Sequence, residues 1–302
     1  MNSSLKAHIS LFLAQVIYAM NYSIAKDLMP DHIKPLGLVM MRIAGACILF
    51  WTLSFFLPKE KLEKGDLKKM MILALFGVAI NQAFFIYGLS LTKPINSAII
   101  MVSNPIAVMI FTIVILKEKI TALKLTGLGF GVIGAVTLLL FKANGSFSIG
   151  SETITGDMMT LVNSLSWAVF VVMAKPYMQK YQTVTVMKWI FIFGFIYMLP
   201  FGMPDLLKVN WSGLSKEVLF AMAFVVIATT FLAYLLNTYA LKALSSSVVS
   251  MYIYFQPFLA TLIAIMWGKD ELTPIKAISA GLIITGVYLA SRRKKVSLIN
   301  EA

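Results

Sequence analysis

Charged side chains are scarce in this chain: 13% of its 302 residues are Asp, Glu, Lys or Arg, whereas 59% are hydrophobic. A soluble globular domain carries about 25% charged residues, so this composition excludes a surface that faces water throughout. A bilayer is the other solvent in which an apolar surface is stable, and a helix needs about 20 apolar residues to cross its core. The sequence therefore predicts an integral membrane protein.

Cysteine is nearly absent too, since Cys47 is the only one and lies inside an apolar run. A single thiol excludes an intramolecular disulfide framework and a CxxC pair. The sequence also contains no P-loop, no hydrolase-like pair or triad and no cluster of metal-ligating residues. We therefore expect the protein not to be an enzyme, and to have neither a metal ion nor a cofactor.

Basic residues outnumber acidic ones, which gives a formal net charge of +13. Most of them lie in short loops between apolar runs, where Lys and Arg set orientation and meet anionic lipid head groups. We therefore expect the lipid bilayer to be a partner and nucleic acid not to be one.

Ten apolar runs are long enough to be spanning helices. They cover residues 7–29, 35–57, 69–91, 94–116, 121–141, 155–178, 183–203, 216–241, 244–267 and 274–291. These runs are too long and too evenly apolar for barrel strands, which leaves helices as the structure that pairs every backbone group in lipid. The first run lacks a small-residue cleavage site, so we expect a retained helix rather than a signal peptide.

The basic residues are also distributed unevenly between the two sides. If the N-terminus is cytoplasmic, the inner segments hold sixteen Lys and Arg residues and the outer segments hold eight. The positive-inside rule therefore predicts that both termini are cytoplasmic in a multi-pass inner-membrane protein.

Self-comparison shows an internal repeat. Residues 87–134 align with residues 239–286 without a gap at an offset of 152, and the first spans of the two halves align at an offset of 149. The aligned pairs include Tyr87 with Tyr239, Pro105 with Pro257, Gly129 with Gly281, Gly134 with Gly286 and Lys26 with Lys175. Apolar helices match by chance at single positions, but a shared mid-helix proline, turn and glycine pair in one register is much harder to obtain by chance.

Each half contains five predicted spans, and an odd number makes the second half enter the membrane from the opposite side. The predicted fold is therefore all-α, with ten transmembrane helices arranged as two inverted five-helix repeats, residues 1–147 and 148–302. A Gly- and Ser-rich segment, residues 142–154, lies between the halves and is typical of a linker. Inverted repeats are typical of secondary transporters, because two near-equivalent halves can exchange roles between inward-open and outward-open states.

The motifs in this order resemble the EamA family of the drug/metabolite transporter superfamily. Asn21 and Lys26 match the W-G-S-N-F…K pattern of that family's first span, with Tyr18 in place of Trp, and the second copy keeps Trp167 and Lys175. The family's P…R pattern occurs as Pro35…Arg42, and its acid-containing turn occurs as Glu118-Lys-Ile-Thr121 and Asp270-Glu-Leu-Thr273. The resemblance covers almost the whole chain. It implies ten helices around a central cavity and a protein that transports metabolites.

Two matching pairs, Asn104-Pro105 and Gln256-Pro257, lie near the midpoints of their spans. A proline inside a helix removes a backbone hydrogen bond, and in lipid this is tolerated where the freed carbonyl finds a partner or lines a cavity. One interpretation is a substrate site at the membrane midplane, with Pro105 and Pro257 as hinges. The alternative is a kink that shapes packing, with the amides bonded to neighbouring helices.

Helical spacing extends this candidate site. The further candidate substrate-binding residues are Ser97, Met101, Tyr252, Asn21, Asn81, Gln82, Trp167 and Tyr234. Asn163 and Asn237 also lie at membrane depth, and each aromatic residue among these has ordinary packing as its alternative. Amides and phenols suit a neutral or zwitterionic ligand, and flat aromatic rings suit a ligand that contains a ring.

Arg42 is a candidate of a different kind, because an arginine at the bilayer centre costs about 2.5–3.5 kcal/mol on insertion scales and needs a partner. It can bind a substrate carboxylate or phosphate, bond to backbone carbonyls, or pair with Asp27 or Asp31. No Asp or Glu lies in the middle of any predicted span, which argues against an ion-coupling site.

We therefore expect a facilitator or exchanger that works by alternating access and exports small organic metabolites such as amino acids. Uptake of a nucleoside-like or vitamin-like solute and flipping of a lipid carrier remain alternatives. The partners expected are a small-molecule substrate and the bilayer, and both a monomer and a homodimer stay open.

Overall fold

The computed structural model describes residues 3–117, 119–142, 153–266 and 273–291. Throughout these ranges the chain forms helices and turns, with no strand. The predicted boundary between the halves, residues 143–152 of the predicted linker, and the acidic residues Glu118 and Asp270 lie outside the described residues.

The described residues form ten helical segments, which we label in chain order. They are α1 (Ser3–Asp27), α2 (Pro35–Phe55), α3 (Asp66–Leu91), α4 (Pro94–Met101 and Asn104–Leu116), α5 (Ala122–Lys142), α6 (Ile154–Lys180), α7 (Thr183–Leu206), α8 (Lys216–Ala243), α9 (Ser246–Met251, Tyr252–Tyr254 and Phe255–Met266) and α10 (Pro274–Ser291). A short 3₁₀ turn, Trp211–Gly213, precedes α8.

Local sequence accounts for several of the helix ends. Pro35 and Pro94 each lie in the first turn of a helix, where a missing N–H costs nothing. Ser215 caps α8 and Ser245 caps α9, because their side chains accept hydrogen bonds from the backbone N–H groups three residues later. Lys117 ends α4 in a left-handed conformation with φ of 53°.

Eight of these segments are long and apolar enough to cross a membrane, counted over the part of the chain that the structure describes. The chain is therefore a multi-pass membrane protein. The two other segments are α1, whose 25 residues include buried polar side chains such as Gln15 and Asn21, and α5, which counts as a shorter apolar helix over Ala122–Thr137. The assignment of all ten segments as membrane spans stays a prediction.

Helices of the two halves pack against each other in a reciprocal pattern. α2 packs on α7 and α5 packs on α10, so that equivalent helices of the two halves meet. α3 packs on α6, and α8 packs on α1, so that the third helix of each half meets the first helix of the other. If the two halves are exchanged, each of these helix pairs coincides with itself or with another pair of the set.

The internal repeat has local counterparts as well. α3 widens into a π-helix over Leu75–Ile80, and α8 does so over Val225–Leu232, which overlaps the equivalent residues 152 positions later. Lys26 Nζ donates to the carbonyl oxygen of Leu89 at 2.8 Å, and Lys175 Nζ donates to that of Leu241 at 2.5 Å. Both lysines therefore hold the C-terminal end of the third helix in their own half.

Glycine allows the close contact between α5 and α10. A Cβ on Gly127 would lie 2.5 Å from the carbonyl oxygen of Gly286, and a Cβ on Gly134 would lie 2.7 Å from that of Ser279. Real Cβ atoms do not approach so closely, so larger residues here would force these two helices apart.

Candidate functional site

Two helices that line the middle of the molecule are interrupted at matching positions. α4 breaks between Met101 and Asn104, and its second piece begins with Asn104-Pro105. α9 tightens into a 3₁₀ turn at Tyr252–Tyr254, just before Gln256-Pro257. The prolines explain both interruptions, because neither can donate the backbone hydrogen bond that would continue the preceding helix.

A cavity lies beside these breaks, with helices from both halves in its wall. The space between protein atoms there, including the part that is open to solvent, is about 660 Å³. Its wall is formed by α1, α2, α3 and α4 of the first half and by α6, α8 and α9 of the second. The cavity therefore lies between the repeats.

The structure brings together eight of the eleven candidate substrate-binding residues in this wall. They are Asn21, Arg42, Asn81, Gln82, Met101, Trp167, Tyr234 and Gln256. Seven different helices contribute them, at sequence separations of up to 235 residues, so their convergence is a property of the tertiary structure.

The three other candidates lie outside the cavity wall and bond to neighbouring helices. Asn104 Nδ2 donates to the carbonyl oxygen of Ser164 at 2.6 Å, and the Ser97 hydroxyl lies 3.3 Å from that of Thr160. Tyr252 shares a 2.7 Å hydrogen bond with His8 Nδ1. The hinge candidates Pro105 and Pro257 are not in the wall either.

A chain of hydrogen bonds joins α1 to α9 at the edge of the cavity. Gln256 Nε2 donates to Gln15 Oε1 at 2.8 Å, and the hydroxyl of Tyr22 donates to Gln256 Oε1 at 3.4 Å. All three side chains line the cavity. Rotation of the Gln256 side chain toward a ligand would break both contacts, so this contact between α1 and α9 can respond to occupancy.

A second cluster joins α3, α6 and α8. The hydroxyl of Tyr234 lies 2.9 Å from Asn81 Oδ1 and 3.0 Å from the carbonyl oxygen of Gly77, which belongs to the π-helical turn of α3. Asn163 Nδ2 donates to the backbone carbonyl of Asn81 at 2.8 Å. π-Helical turns occur often at functional sites, and here the turn frees a carbonyl for a side chain of the other half.

Arg42 enters the cavity from α2 and is 3% exposed. Its Nε donates to the hydroxyl of Thr230 at 2.9 Å, and that hydroxyl donates to the carbonyl oxygen of Val225 at 2.8 Å. The alternative of a pair with Asp27 or Asp31 is wrong, since no carboxylate of the described residues lies within 4 Å of the guanidinium. Among the described residues, no backbone carbonyl accepts a hydrogen bond from Arg42 either.

Several buried polar atoms of the wall have no hydrogen-bond partner in the described part of the chain. They include Asn21 Oδ1, Asn163 Oδ1 and Arg42 Nη1. Buried polar atoms are bonded in most proteins, and exceptions in a cavity are places where a ligand or water completes the set. Arg42 Nη1 is a cationic donor and the two Asn oxygens are amide acceptors; both polar side-chain atoms of Gln82 in the wall also have no partner among the described residues.

Aromatic rings form a large part of the remaining wall. Trp167 and Tyr234 meet edge to face with ring centroids 5.4 Å apart, and Tyr22 meets Phe85 in the same way at 5.5 Å. Such contacts hold flat apolar surfaces in fixed positions. No group of three or more His, Cys, Asp or Glu side chains that could hold a metal ion occurs within the described ranges.

Sequence reasoning did not select some of the wall residues. Gln15, Tyr18 and Phe85 were not among the candidate binding residues, and Val249 and Ile253 of α9 also line the cavity. A signal was present in α1, because positions 15, 18 and 22 are spaced to share one helix face. The apolar residues of α9 gave no signal, since many apolar residues of a membrane helix face lipid.

The comparisons with known proteins agree with this architecture. The sequence pattern of the EamA-like transporter family matches residues 5–140 and 154–292. A protein of Archaeoglobus fulgidus, named as an uncharacterized transporter, is 27% identical over 297 residues, which cover 97% of this chain and 99% of the relative. The uncharacterized transporter YyaM of Bacillus subtilis is 28% identical over 77% of both chains, and a WAT1-related protein of Arabidopsis thaliana is 22% identical over 94% of this chain and 85% of its own.

The fold is also similar to that of a solved crystal structure. It superposes with a TM-score of 0.73 at 19% sequence identity and covers 96% of both chains. A likeness at this identity shows the fold alone. The family match spans both halves of the chain.

Proposed function

The chain belongs to the EamA-like transporter family, as its sequence motifs predicted, and from that premise we propose that it is a secondary transporter of small organic metabolites. The observation that carries this proposal is the central polar cavity, whose wall takes residues from both halves. The family and its transporter-named relatives indicate a transporter rather than an enzyme.

The transport mechanism that we propose is alternating access by ten spans arranged as two inverted repeats. The reciprocal packing of the halves supports it, because a contact between α1 and α9 has an equivalent contact between α6 and α4. A cavity between two such halves opens to one side when one set of contacts loosens and to the other side when the equivalent set does. The interrupted helices α4 and α9 are the proposed hinges.

The cargo that we propose is an amino acid or a similar metabolite, and the proposed direction is export. Buried amides, phenols and one guanidinium fit a small polar solute, and the aromatic wall fits a ring or another flat apolar group. No specific observation favours a nucleoside-like solute or a lipid carrier, so these are outcomes of the test.

We further propose transport without ion coupling. Asp157 is the buried carboxylate of the described residues; it lies near the start of α6, accepts a hydrogen bond from the Thr92 hydroxyl at 2.6 Å, and is not in the cavity wall. A carboxylate engaged in this way is not placed to exchange a proton or sodium ion with the cargo. Both termini are proposed to be cytoplasmic in the inner membrane, as a monomer or homodimer.

The test is uptake of radiolabelled amino acids, nucleosides and vitamins into proteoliposomes, with lipid flipping measured in the same vesicles. We expect saturable amino acid flux down its own gradient, unchanged by an imposed pH or sodium gradient. Concentrative uptake that requires a proton gradient and collapses with a protonophore would contradict the uncoupled mechanism. Lipid flipping without solute flux would replace the metabolite proposal by the lipid one.

A further inference from the structure

Arg42 carries the charge of the central cavity, since every other described residue of its wall is uncharged at neutral pH. Its side chain is 3% exposed, and its Nε is held by the neutral hydroxyl of Thr230. The positive charge itself is therefore fixed in position but not balanced. Its Nη1 has no partner among the residues that the structure describes.

No carboxylate of the described residues forms an ion pair with Arg42. The ion pairs of those residues join Lys34 to Asp205 and Lys180 to Glu63 and Asp66. The buried Asp157 accepts hydrogen bonds from the hydroxyls of Thr92 and Thr153 at the start of α6. A buried cation without a counter-ion is unfavourable in a medium of low dielectric constant, so the cavity is complementary to an anion.

Two amide oxygens of the wall complement the positive charge of Arg42, because they are hydrogen-bond acceptors. Asn21 Oδ1 and Asn163 Oδ1 belong to side chains that are 2% and 3% exposed, and neither has a partner in the described ranges. The Nδ2 of Asn163 is already bonded to the carbonyl of Asn81, which fixes its Oδ1 as the free end. These oxygens accept from N–H donors of a ligand.

We propose that Arg42 is the anion-binding residue of the cavity and that the cargo is a zwitterion, with its carboxylate at Arg42 and its ammonium at Asn21 and Asn163. This inference rests on the proposed transport function and adds the chemical class that the site selects. A carboxylate matches the single positive charge, whereas a phosphate dianion would be left with uncompensated charge. The aromatic faces of Trp167 and Tyr22 receive the apolar part of the cargo.

The experiment uses four probes that share one ring: phenylalanine, 3-phenylpropanoate, phenylalaninamide and 2-phenylethylamine. Their binding to the purified full-length protein is measured by thermal shift and calorimetry. Phenylalanine is expected to bind most tightly, with loss of the ammonium weakening binding severalfold and loss of the carboxylate charge weakening it at least tenfold. Equal binding of phenylalanine and its amide would overturn the proposal.

Variants of Arg42 test whether this residue causes the preference for the carboxylate over the amide. Arg42→Gln is expected to bind phenylalanine no better than wild type binds phenylalaninamide, and Arg42→Lys should restore part of the preference because it keeps the charge but not the planar fork. Lys188→Gln is the matched control, since Lys188 is a cation that lies 5.1 Å from the Trp51 ring and outside the cavity wall. It should bind all four probes as wild type does.

The two proposals fail in different ways. If Arg42→Gln does not fold, the four probes on the unaltered protein still decide the inference. If none of the four binds, the inference fails, while flux of any solute in the proteoliposome panel leaves the transport proposal standing. If Arg42→Gln folds and keeps the full preference for the acid over the amide, the anion site lies elsewhere and the inference is wrong.

Discussion

The contact between α4 and α6 and the contact between α9 and α1 occupy equivalent positions in the two halves, yet they are built differently. In the first, Asn104 donates to the backbone carbonyl of Ser164 at 2.6 Å, and its side chain is fully buried. In the second, Gln256 donates to the side chain of Gln15 at 2.8 Å and lines the cavity. Ser164 and Gln15 are themselves equivalent at the offset of 149.

This difference shows how one repeated motif acquires two roles. A bond to a backbone carbonyl fixes the amide in a single position, because the carbonyl cannot rotate away. A bond between two long side chains is reversible, because each can choose another rotamer. We therefore expect the contact between α4 and α6 to stabilise the fold and the contact between α9 and α1 to respond to the cargo.

The largest effect on this comparison would come from a wrong orientation of the two halves in the membrane. Equivalent contacts face opposite sides of the membrane only if the halves are inverted. In a Cys47→Ser background, a cysteine at Ser212 should react with a membrane-impermeant thiol reagent in intact cells, and one at Lys64 should react only after lysis. Both residues are exposed in loops.

Reaction of the Lys64 probe in intact cells would show that the orientation is opposite to the one predicted from the uneven distribution of Lys and Arg. Reaction of both probes from outside would contradict the inverted repeat itself. Lysed cells serve as the control that each cysteine is accessible to the reagent.

Lys26 and Lys175 test whether equivalent contacts of the two halves contribute alike to stability. Lys26 binds three carbonyl oxygens at the end of α3, and Lys175 binds those of Leu241 and Leu244 at the end of α8. Hydrogen bonds to a charged group contribute about 1.5–3 kcal/mol each, and a helix C-terminus favours a cation. Lys26→Met and Lys175→Met should each lower the melting temperature by several degrees, as measured by thermal shift in detergent.

Lys93→Met is the control for this pair, because Lys93 is exposed and begins α4. It should melt within a degree of wild type. If one of the two lysine variants melts like this control while the other is strongly destabilised, the two caps are not equivalent in energy.

Truncation of the two amides should separate stability from affinity. Asn104→Ala removes the buried hydrogen bond to the Ser164 carbonyl, which contributes about 0.5–1.5 kcal/mol, and should lower the melting temperature without changing the affinity of the folded protein. Gln256→Ala should weaken cargo affinity about tenfold, with a melting temperature near that of wild type. Binding calorimetry and thermal shift on both variants measure the two effects.

An Asn104→Ala variant that melts normally and loses affinity would exchange the two roles and place the recognition at the contact between α4 and α6. Unaltered binding and flux in a stable Gln256→Ala variant would move the site toward α2 and Arg42.

The smallest effect is expected from the prolines. Pro257→Ala restores a backbone donor next to the 3₁₀ turn and favours a straighter helix, so the rate of flux should change severalfold while cargo affinity changes little. Pro105→Ala should change the rate less, because the fixed bond of Asn104 to Ser164 holds α4 in place. Initial rates and binding constants of both variants in the same lipid provide the measurement; equal effects would contradict the division of roles.

Much of the fold was accessible from the sequence. Apolar runs predicted the helical membrane class and located each described segment to within a few residues at most ends, and the aligned Lys26 and Lys175 make equivalent contacts in the structure. The family followed from motifs that both halves repeat, and the family match confirmed it. These features are encoded locally, by hydropathy and by spacing along one helix.

The site was accessible only in part. Polarity at membrane depth selected Asn81, Gln82 and Tyr234, which all line the cavity, because a buried polar group in lipid needs a partner or a ligand. The same criterion selected Ser97 and Asn104, which bond to α6 instead. Polarity indicates that a residue faces inward, but it does not distinguish a contact between helices from a cavity.

The sequence alone determined that the chain is a membrane protein of two related halves, because hydropathy and the repeat are properties of residue order. The tertiary structure alone decided which equivalent residues differ in role. Asn104 and Gln256 follow the same pattern and each precedes the equivalent proline, but Asn104 donates to a backbone carbonyl and Gln256 to a side chain that lines the cavity. The rotation and separation of the packed helices decide which partner each amide meets, and the spacing of residues within a single helix does not predict them.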